Sequence, residues 1–267
     1  MLDQLNQYYE KQAHEELRLQ KDGLHYLEFL TACRYLDRFI PPRSAILDSC
    51  AGSGAYAFHL ARQGHTVSAG DIVPHNVDLM HAKQQKEPLL AEIFQADASD
   101  LSRFADHSFK AVLCMGALYH LPQEEQLKKV IAESRRVLNS DGIFACTYMN
   151  RYAVILGNMA GNVDNIEEIQ QFLDNGREGI FYTATPGQME ELMQQTGISI
   201  HCHVALDGIS GFLFNKKQIT AQGLQNFREY HFRTCQDPTL LGYSYHNLII
   251  GSQALCGNAV RCITAKA

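Results

Sequence analysis

No two of the eight cysteines stand at Cys-x-x-Cys spacing, so the chain offers neither a zinc ribbon nor a dithiol redox pair. Cys114 and Cys146 instead fall inside apolar runs that read as strands, where reduced core thiols are common. Basic residues are also short: 23 Lys and Arg against 29 Asp and Glu give a formal charge of −6. That balance excludes a broad electrostatic footprint for nucleic acid or anionic lipid, while leaving a local basic patch open. No apolar run reaches membrane-spanning length, and the first residues are polar (Asp3, Gln4, Asn6, Gln7) rather than an apolar leader. The expected location is the cytoplasm, with no membrane partner. The sequence shows no internal repeat and no low-complexity segment. What is present, 267 residues at 46% hydrophobic and 19% charged, is ample for one large α/β core with additions.

Leu24, Leu27, Leu30, Cys33 (or Ala32) and Leu36 recur at helical spacing, predicting helix over 5–39 until Pro41-Pro42 stops it. Strand and helix patterns then alternate. Strands are predicted at 45–49, 66–70, 92–96, 109–115 and 143–148, and helices at 55–62, 76–85 and 123–138. Asp141-Gly142 is the expected turn into the fifth strand. Such alternation predicts an α/β fold, a parallel sheet with helices on both faces. The rhythm breaks after Asn150, and 151–184 reads as an irregular, partly helical insertion. Thr185-Pro186-Gly187-Gln188 predicts a capping box with proline at the first helical position. Its helix runs to about Thr196 and is closed by Gly197. A sixth strand is expected at 198–204, a helix near 218–235 inside a second insertion, and a last strand at 245–251. The expected divisions are a helical N-terminal lid at 1–40, a core at 41–150, a cap insertion at 151–184, completion of the core at 185–252 around the second insertion 205–243, and a tail at 253–267.

Chemistry gathers at the strand ends. Ile46-Leu47-Asp48-Ser49-Cys50-Ala51-Gly52-Ser53-Gly54 is a short strand, an acid, and a tight small-residue loop leading straight into a helix. Such a loop lets a nucleotide-like ligand lie against bare backbone at a helix start, and Gly52 and Gly54 allow positive φ and close approach. Close packing alone is the competing reading of these glycines. Three acids fall at consecutive strand ends, Asp48, Asp71 and Asp97, where the ligand crevice of an open α/β sheet lies. Asp71 is placed to accept from ribose hydroxyls and Asp97 from an adenine amine. Gly52-Ser53-Gly54-Ala55-Tyr56-Ala57 also fits a dinucleotide fingerprint. A pyrophosphate would then face Asp48, and like charges about 4–6 Å apart in a partly dry cleft repel by kcal/mol amounts. A sulfonium cofactor has the opposite character and suits an acid-lined pocket.

The residues from Ile46 to Gly54 resemble the first motif of class I S-adenosylmethionine-dependent methyltransferases, with Cys50 in place of the usual first glycine. Val67–Pro74 resembles the second motif and Gln95-Ala96-Asp97-Ala98 the third. Val112-Leu113-Cys114-Met115-Gly116-Ala117-Leu118-Tyr119-His120-Leu121 is similar to the fourth-strand segment of the small-molecule branch. Arg135-Arg136-Val137-Leu138 with Asp141-Gly142 is similar to the family's approach to strand five. The resemblance implies a Rossmann-like, seven-stranded sheet with the last strand antiparallel. It implies S-adenosylmethionine as cofactor and S-adenosylhomocysteine as product. Ala51 and Gly52 would pack on the methionine part, Asp71 would take the ribose, Asp97 and Ala98 would read the adenine, and Cys114 and Met115 would line the sulfonium region, with Asp48, Cys50, Gly54, Ile72 and Asn76 completing the expected cofactor-binding set. Arg18 is a candidate partner of the methionine carboxylate, against a solvated pairing with Glu15.

Methyl transfer is an in-line displacement that needs alignment and a dry site. His120 is the candidate base and Tyr119 the candidate orienting group. A cofactor contact or a helix cap competes for His120. His201-Cys202-His203 puts two histidines on one side of a predicted strand, but no third ligand stands near, and no metal is expected. The expected acceptor is a small molecule, at an O, N or S atom. Asn158–Asn162 and Cys235–Pro238 through Gly242 are similar to segments of the bacterial tRNA wobble 5-carboxymethoxyuridine carboxyl-methyltransferases. An RNA acceptor is therefore the alternative, disfavoured by the acidic balance. A nicotinamide-dependent oxidoreductase and a non-catalytic cofactor-binding protein are further alternatives.

Overall fold

The computed structural model describes residues 2–11, 23–159, 166–214 and 220–254. The strands are β1 (Ala45–Asp48), β2 (Thr66–Asp71), β3 (Glu92–Gln95), β4 (Phe109–Cys114), β5 (Leu138–Asn150), β6 (Arg177–Glu178), β7 (Phe181–Ala184), β8 (Ile198–Ala205) and β9 (His246–Gln253). The helices are α1 (Leu2–Lys11), α2 (Gly23–Phe39), α3 (Ala55–Arg62), α4 (Pro74–Lys86), α5 (Glu124–Val137), α6 (Arg151–Met159), α7 (Ile166–Asn175), α8 (Pro186–Gln195), α9 (Ser210–Phe214) and α10 (Ala221–Thr234). The core sheet runs β3-β2-β1-β4-β5-β9-β8, parallel from β3 to β5, with β9 antiparallel to both of its neighbours. This is the expected seven-stranded α/β sheet.

Alternate residues of each strand feed two separate cores. Ile46, Ala111, Leu113, Ala145, Leu248 and Ile250 pack with α2, α3 and α4 on one face. Leu47, Val112, Phe144, Cys146 and Ile249 pack with α5 and α8 on the other. Burial on both faces is why these strands read as continuous apolar runs instead of alternating ones. The Thr185 hydroxyl accepts from the Gln188 amide and the Gln188 side chain accepts from the Thr185 amide, completing the capping box predicted for α8.

Three features depart from the expectation. Asp141-Gly142 does not precede the fifth strand; β5 begins at Leu138, and its ladder to β4 jumps from Phe109↔Leu138 to Ala111↔Ile143. The turn is thus an excursion inside a longer strand. The 151–184 insertion contains a hairpin, β6–β7, whose second strand pairs with Met149 and Asn150 at the end of β5. His201 and His203 do not share a face. A bulge between Ile200 and Cys202 breaks the alternation. His201 stacks on Phe39 of α2, while His203 bonds Tyr148 and Glu190 of α8. No described helix is long and apolar enough to cross a membrane.

Candidate active site

The loop after β1 is held by its own backbone. The Ser49 amide donates to the Leu113 carbonyl at 3.0 Å, the Ala51 amide to Gly70 at 2.8 Å, and the Gly54 amide back to Ala51 at 2.8 Å. Gly52 (φ +56°) and Gly54 (φ +83°) occupy the left-handed region that the turn requires. A Cβ on Gly54 would also meet Met80 and Phe58 at 3.0 Å, so its role is to let α3 start against α4.

Two of the strand-end acids are buried beneath this loop. Asp71 accepts from the Gly52 amide at 2.8 Å, the Val73 amide at 2.9 Å and the Asn76 side chain at 3.2 Å. Burial raises its pKa, and those donors pull it back. Asp48 is 1% exposed, and neither of its carboxyl oxygens has a hydrogen-bond partner among the described residues. Desolvation first and the Asp71 charge second push its pKa up to about 7, against a weak pull from the Cys50 amide that falls outside hydrogen-bond geometry. Asp97 is exposed and accepts from the Ser99 amide at 2.8 Å.

A cavity of about 350 Å³ lies over the carboxyl ends of β1, β2 and β4. Cys50, Ala51, Gly52, Asp71, Ile72, Asn76, Asp97, Ala98, Met115, Tyr119 and His120 all border it. Asp48, Gly54 and Cys114 do not; they stand behind its wall. A hydrogen bond from Cys50 to Cys114, and then burial, hold the Cys50 thiol well above the ordinary range. Arg18 lies outside the described residues.

The far wall draws on the N-terminal segment and the 151–184 insertion, read from the sequence as lid and cap, and on α5, which was not foreseen. Leu2, Leu5 and Tyr9 of α1, Gln126 and Lys129 of α5, and Ile180 beside β7 complete the cavity. Leu2, Leu5 and Tyr9 stand at i, i+3 and i+7, one helical stripe, which is the signal that would have found them. His120 joins the two roof elements. Its Nδ1 donates to the Ile180 carbonyl at 3.2 Å, so its Nε2 accepts from the Tyr9 hydroxyl at 2.9 Å. Burial drives its pKa down to about 4, with the Ile180 carbonyl opposing. The imidazole is neutral at physiological pH.

Residues 47–146 match the sequence profile of the methyltransferase-domain family. The chain is 27% identical over 157 residues to a glycine/sarcosine N-methyltransferase of Parasynechococcus marenigrum, covering 55% of this chain and 56% of that protein. It is 23% identical over 208 residues to a ubiquinone biosynthesis O-methyltransferase of Xanthomonas axonopodis pv. citri, covering 76% and 80%. The chain spans about half the length of the first of these relatives. An S-adenosylmethionine-dependent methyltransferase of Methanosarcina mazei shares the fold at a TM-score of 0.57 and 18% identity, covering 83% of this chain and 97% of that one. Residues 47–146 are thus similar to a methyltransferase domain, and the fold around them is the one seen in the Methanosarcina mazei structure.

Proposed function

We propose that the protein transfers the methyl group of S-adenosylmethionine to a small-molecule acceptor. The observation that carries this reading is Asp48: a buried carboxyl with no hydrogen-bond partner among the described residues, directly beneath the loop that borders the cavity. An uncompensated carboxyl is costly unless the ligand supplies positive charge. A sulfonium and an ammonium do so, and a pyrophosphate does the opposite. When bound, the cofactor supplies an electrophilic methyl group on a positively charged sulfur.

The chain's own groups then take these roles. The small-residue turn at Ala51 and Gly52, whose amides are already given to Gly70 and Asp71, leaves room for the methionine part to lie against it. Asp71, already braced by three donors, has lone pairs left for a ribose hydroxyl. Asp97 and Ala98 face the adenine, and Ile72 and Asn76 support the ribose side. Met115 and the nearby Tyr119 border the reacting end. His120, neutral and bonded to both α1 and the cap, positions the roof and excludes water. Its low pKa makes it a poor proton sink, so we assign it to positioning and not to the base expected from the sequence.

A small acceptor fits a cavity roofed by α1 and the cap hairpin better than a polynucleotide does, and the formal charge of −6 supplies no general phosphate attraction. Calorimetry with S-adenosylhomocysteine and with NADH tests the cofactor. Transfer of labelled methyl to a small-molecule extract and, in parallel, to total tRNA tests the acceptor. Binding of NADH alone would overturn the reading, and label entering tRNA alone would replace the acceptor class.

A further inference from the structure

One face of α5 packs on the loop that follows β3. Gln126, Lys129, Val130 and Glu133 stand at i, i+3, i+4 and i+7, a single helical stripe. Glu133 accepts from the Leu101 amide at 2.9 Å, and Val130 packs in the same core as Ala98 and Leu101. The stripe is thereby fixed against residues 96–101. Gln126, Lys129 and Val130 border the cavity, as do Asp97, Ala98 and Ser99 of that loop. This is the end to which the adenine is assigned above, whereas Met115 and Tyr119 border the reacting end.

Gln126 Oε1 is buried, and among the described residues it has no hydrogen-bond partner. A buried amide oxygen without a donor is costly, and one on a cavity wall is relieved by a ligand that brings the donor. A second such atom, Asn76 Oδ1, belongs to the ribose side, where Asn76 Nδ2 already donates to Asp71. Gln126 is its counterpart on the opposite wall.

The donor that suits Gln126 is uncharged. Lys129 stands one turn on and borders the same cavity, and its ammonium disfavours a second cation there. A sulfonium or an ammonium is better matched by the carboxylates of Asp48 and Asp71. The 6-amino group of adenine is a neutral N–H donor on a flat ring, and Ala98 and Val130 give that ring apolar walls. A carboxamide is also the side chain that pairs with the amino edge of adenine in nucleic-acid recognition. Asp97, the acid expected from the sequence to take the amine, is exposed, so water competes for it, and its Oδ1 already accepts from the Ser99 amide.

We propose that Gln126 reads the adenine of the cofactor, its Oε1 accepting a hydrogen bond from the 6-amino group; this rests on the methyl-transfer reading above. Gln126 is then a specificity-determining residue. A purine that lacks the amine leaves Oε1 buried and unpaired, and binds more weakly.

The test measures binding and not turnover. Titration calorimetry on the full chain compares S-adenosylhomocysteine with its analogue in which hydrogen replaces the 6-amino group. Wild type should prefer S-adenosylhomocysteine by about tenfold, the worth of one buried neutral hydrogen bond. Gln126→Met keeps the length and helix propensity of the side chain and removes both polar atoms. It should bind S-adenosylhomocysteine about tenfold more weakly and the analogue within about twofold of wild type, so that the preference disappears. Gln126→Glu keeps an acceptor at the same place and should keep a preference for the amine. Should Gln126→Met fail to fold, Gln126→Ala carries the same comparison. The proposal is overturned if wild type binds both ligands alike, or if Gln126→Met, or Gln126→Ala in its place, keeps the wild-type preference. Loss of the preference in Asp97→Ala with its survival in Gln126→Met would overturn it in favour of Asp97. Absence of S-adenosylhomocysteine binding to wild type would instead bring down the methyl-transfer reading, and this inference with it.

Discussion

Asp48→Asn is expected to stabilise the free protein at high pH and destabilise it at low pH. The carboxyl is 1% exposed and has no hydrogen-bond partner among the described residues, and burial with the nearby Asp71 charge raises its pKa to about 7 from the ordinary 3.8. The sign follows from proton binding. Between about pH 4 and 7 the unfolded chain has released this proton and the native chain keeps it. The stability it contributes is therefore fully present below about pH 4 and lost as pH rises through about 7. Roughly three pH units at about 1.4 kcal/mol each make ionised Asp48 cost about 4 kcal/mol at pH 8. Asparagine removes that cost but brings amide donors of its own, whose burial offsets about 1–2 kcal/mol. The net gain at pH 8 is about 2–3 kcal/mol. For a chain of this size that is about 5 °C in Tm. At pH 4 only the amide penalty remains, and the variant should melt below wild type. Scanning calorimetry without ligand at pH 4, 6 and 8 should show the two Tm curves crossing. Parallel curves, or a variant less stable at every pH, would refute the claim that a desolvated carboxyl ionises beneath the loop.

Acidification tests His120 in the opposite sense. Its pKa is depressed to about 4 by burial, so the stability it contributes is present above about pH 6.5 and lost as pH falls through about 4. The full loss is about 3 kcal/mol, and His120→Gln should flatten it, read as urea midpoints at pH 7 and 4.5. Gly70→Ala should cost about 1–3 kcal/mol by overpacking, because its Cβ would meet the Phe94 ring, and Phe94→Leu in the same chain should recover part of that loss in a denaturant melt.

The strands were legible because a parallel sheet buries both faces, so its strands stand out as unbroken apolar runs such as Ala111–Cys114. The capping box at Thr185 was legible because its residues sit at fixed offsets. The hairpin β6–β7 was not. Arg177-Glu178 and Phe181–Ala184 are too short and mixed to show a period, and their pairing partner, the end of β5, is far off in sequence. The bulge at His201 was equally hidden, since strict alternation is what a sequence offers by default. Among the acids, sequence position placed Asp48, Asp71 and Asp97 at strand ends but did not tell their depth. Asp97 is exposed, Asp71 is braced by donors, and Asp48 has none among the described residues. Asp207 obeys the same rule at the end of β8 and was lost inside what read as an insertion.

The depth of Asp48 also predicts how binding couples to protons. At pH 7 a group with a pKa of about 7 is half protonated. A cation arriving near it favours the carboxylate and lowers that pKa. Binding of S-adenosylmethionine at pH 7 should therefore release as much as about half a proton per chain, and at pH 8, where roughly a tenth of the carboxyl is still protonated, far less. S-adenosylhomocysteine keeps the ammonium but lacks the sulfonium, so it should release less than S-adenosylmethionine at every pH. Titration calorimetry in phosphate and in Tris separates this from the binding heat, because only released protons carry the buffer's ionisation enthalpy. In Asp48→Asn the buffer dependence should vanish with both ligands, while the S-adenosylmethionine affinity falls toward that of S-adenosylhomocysteine. If wild type and variant gave the same heats in both buffers, Asp48 would not sense the sulfur's charge, and the electrostatic basis of the site would have to be sought at Asp71 and Asp97 instead.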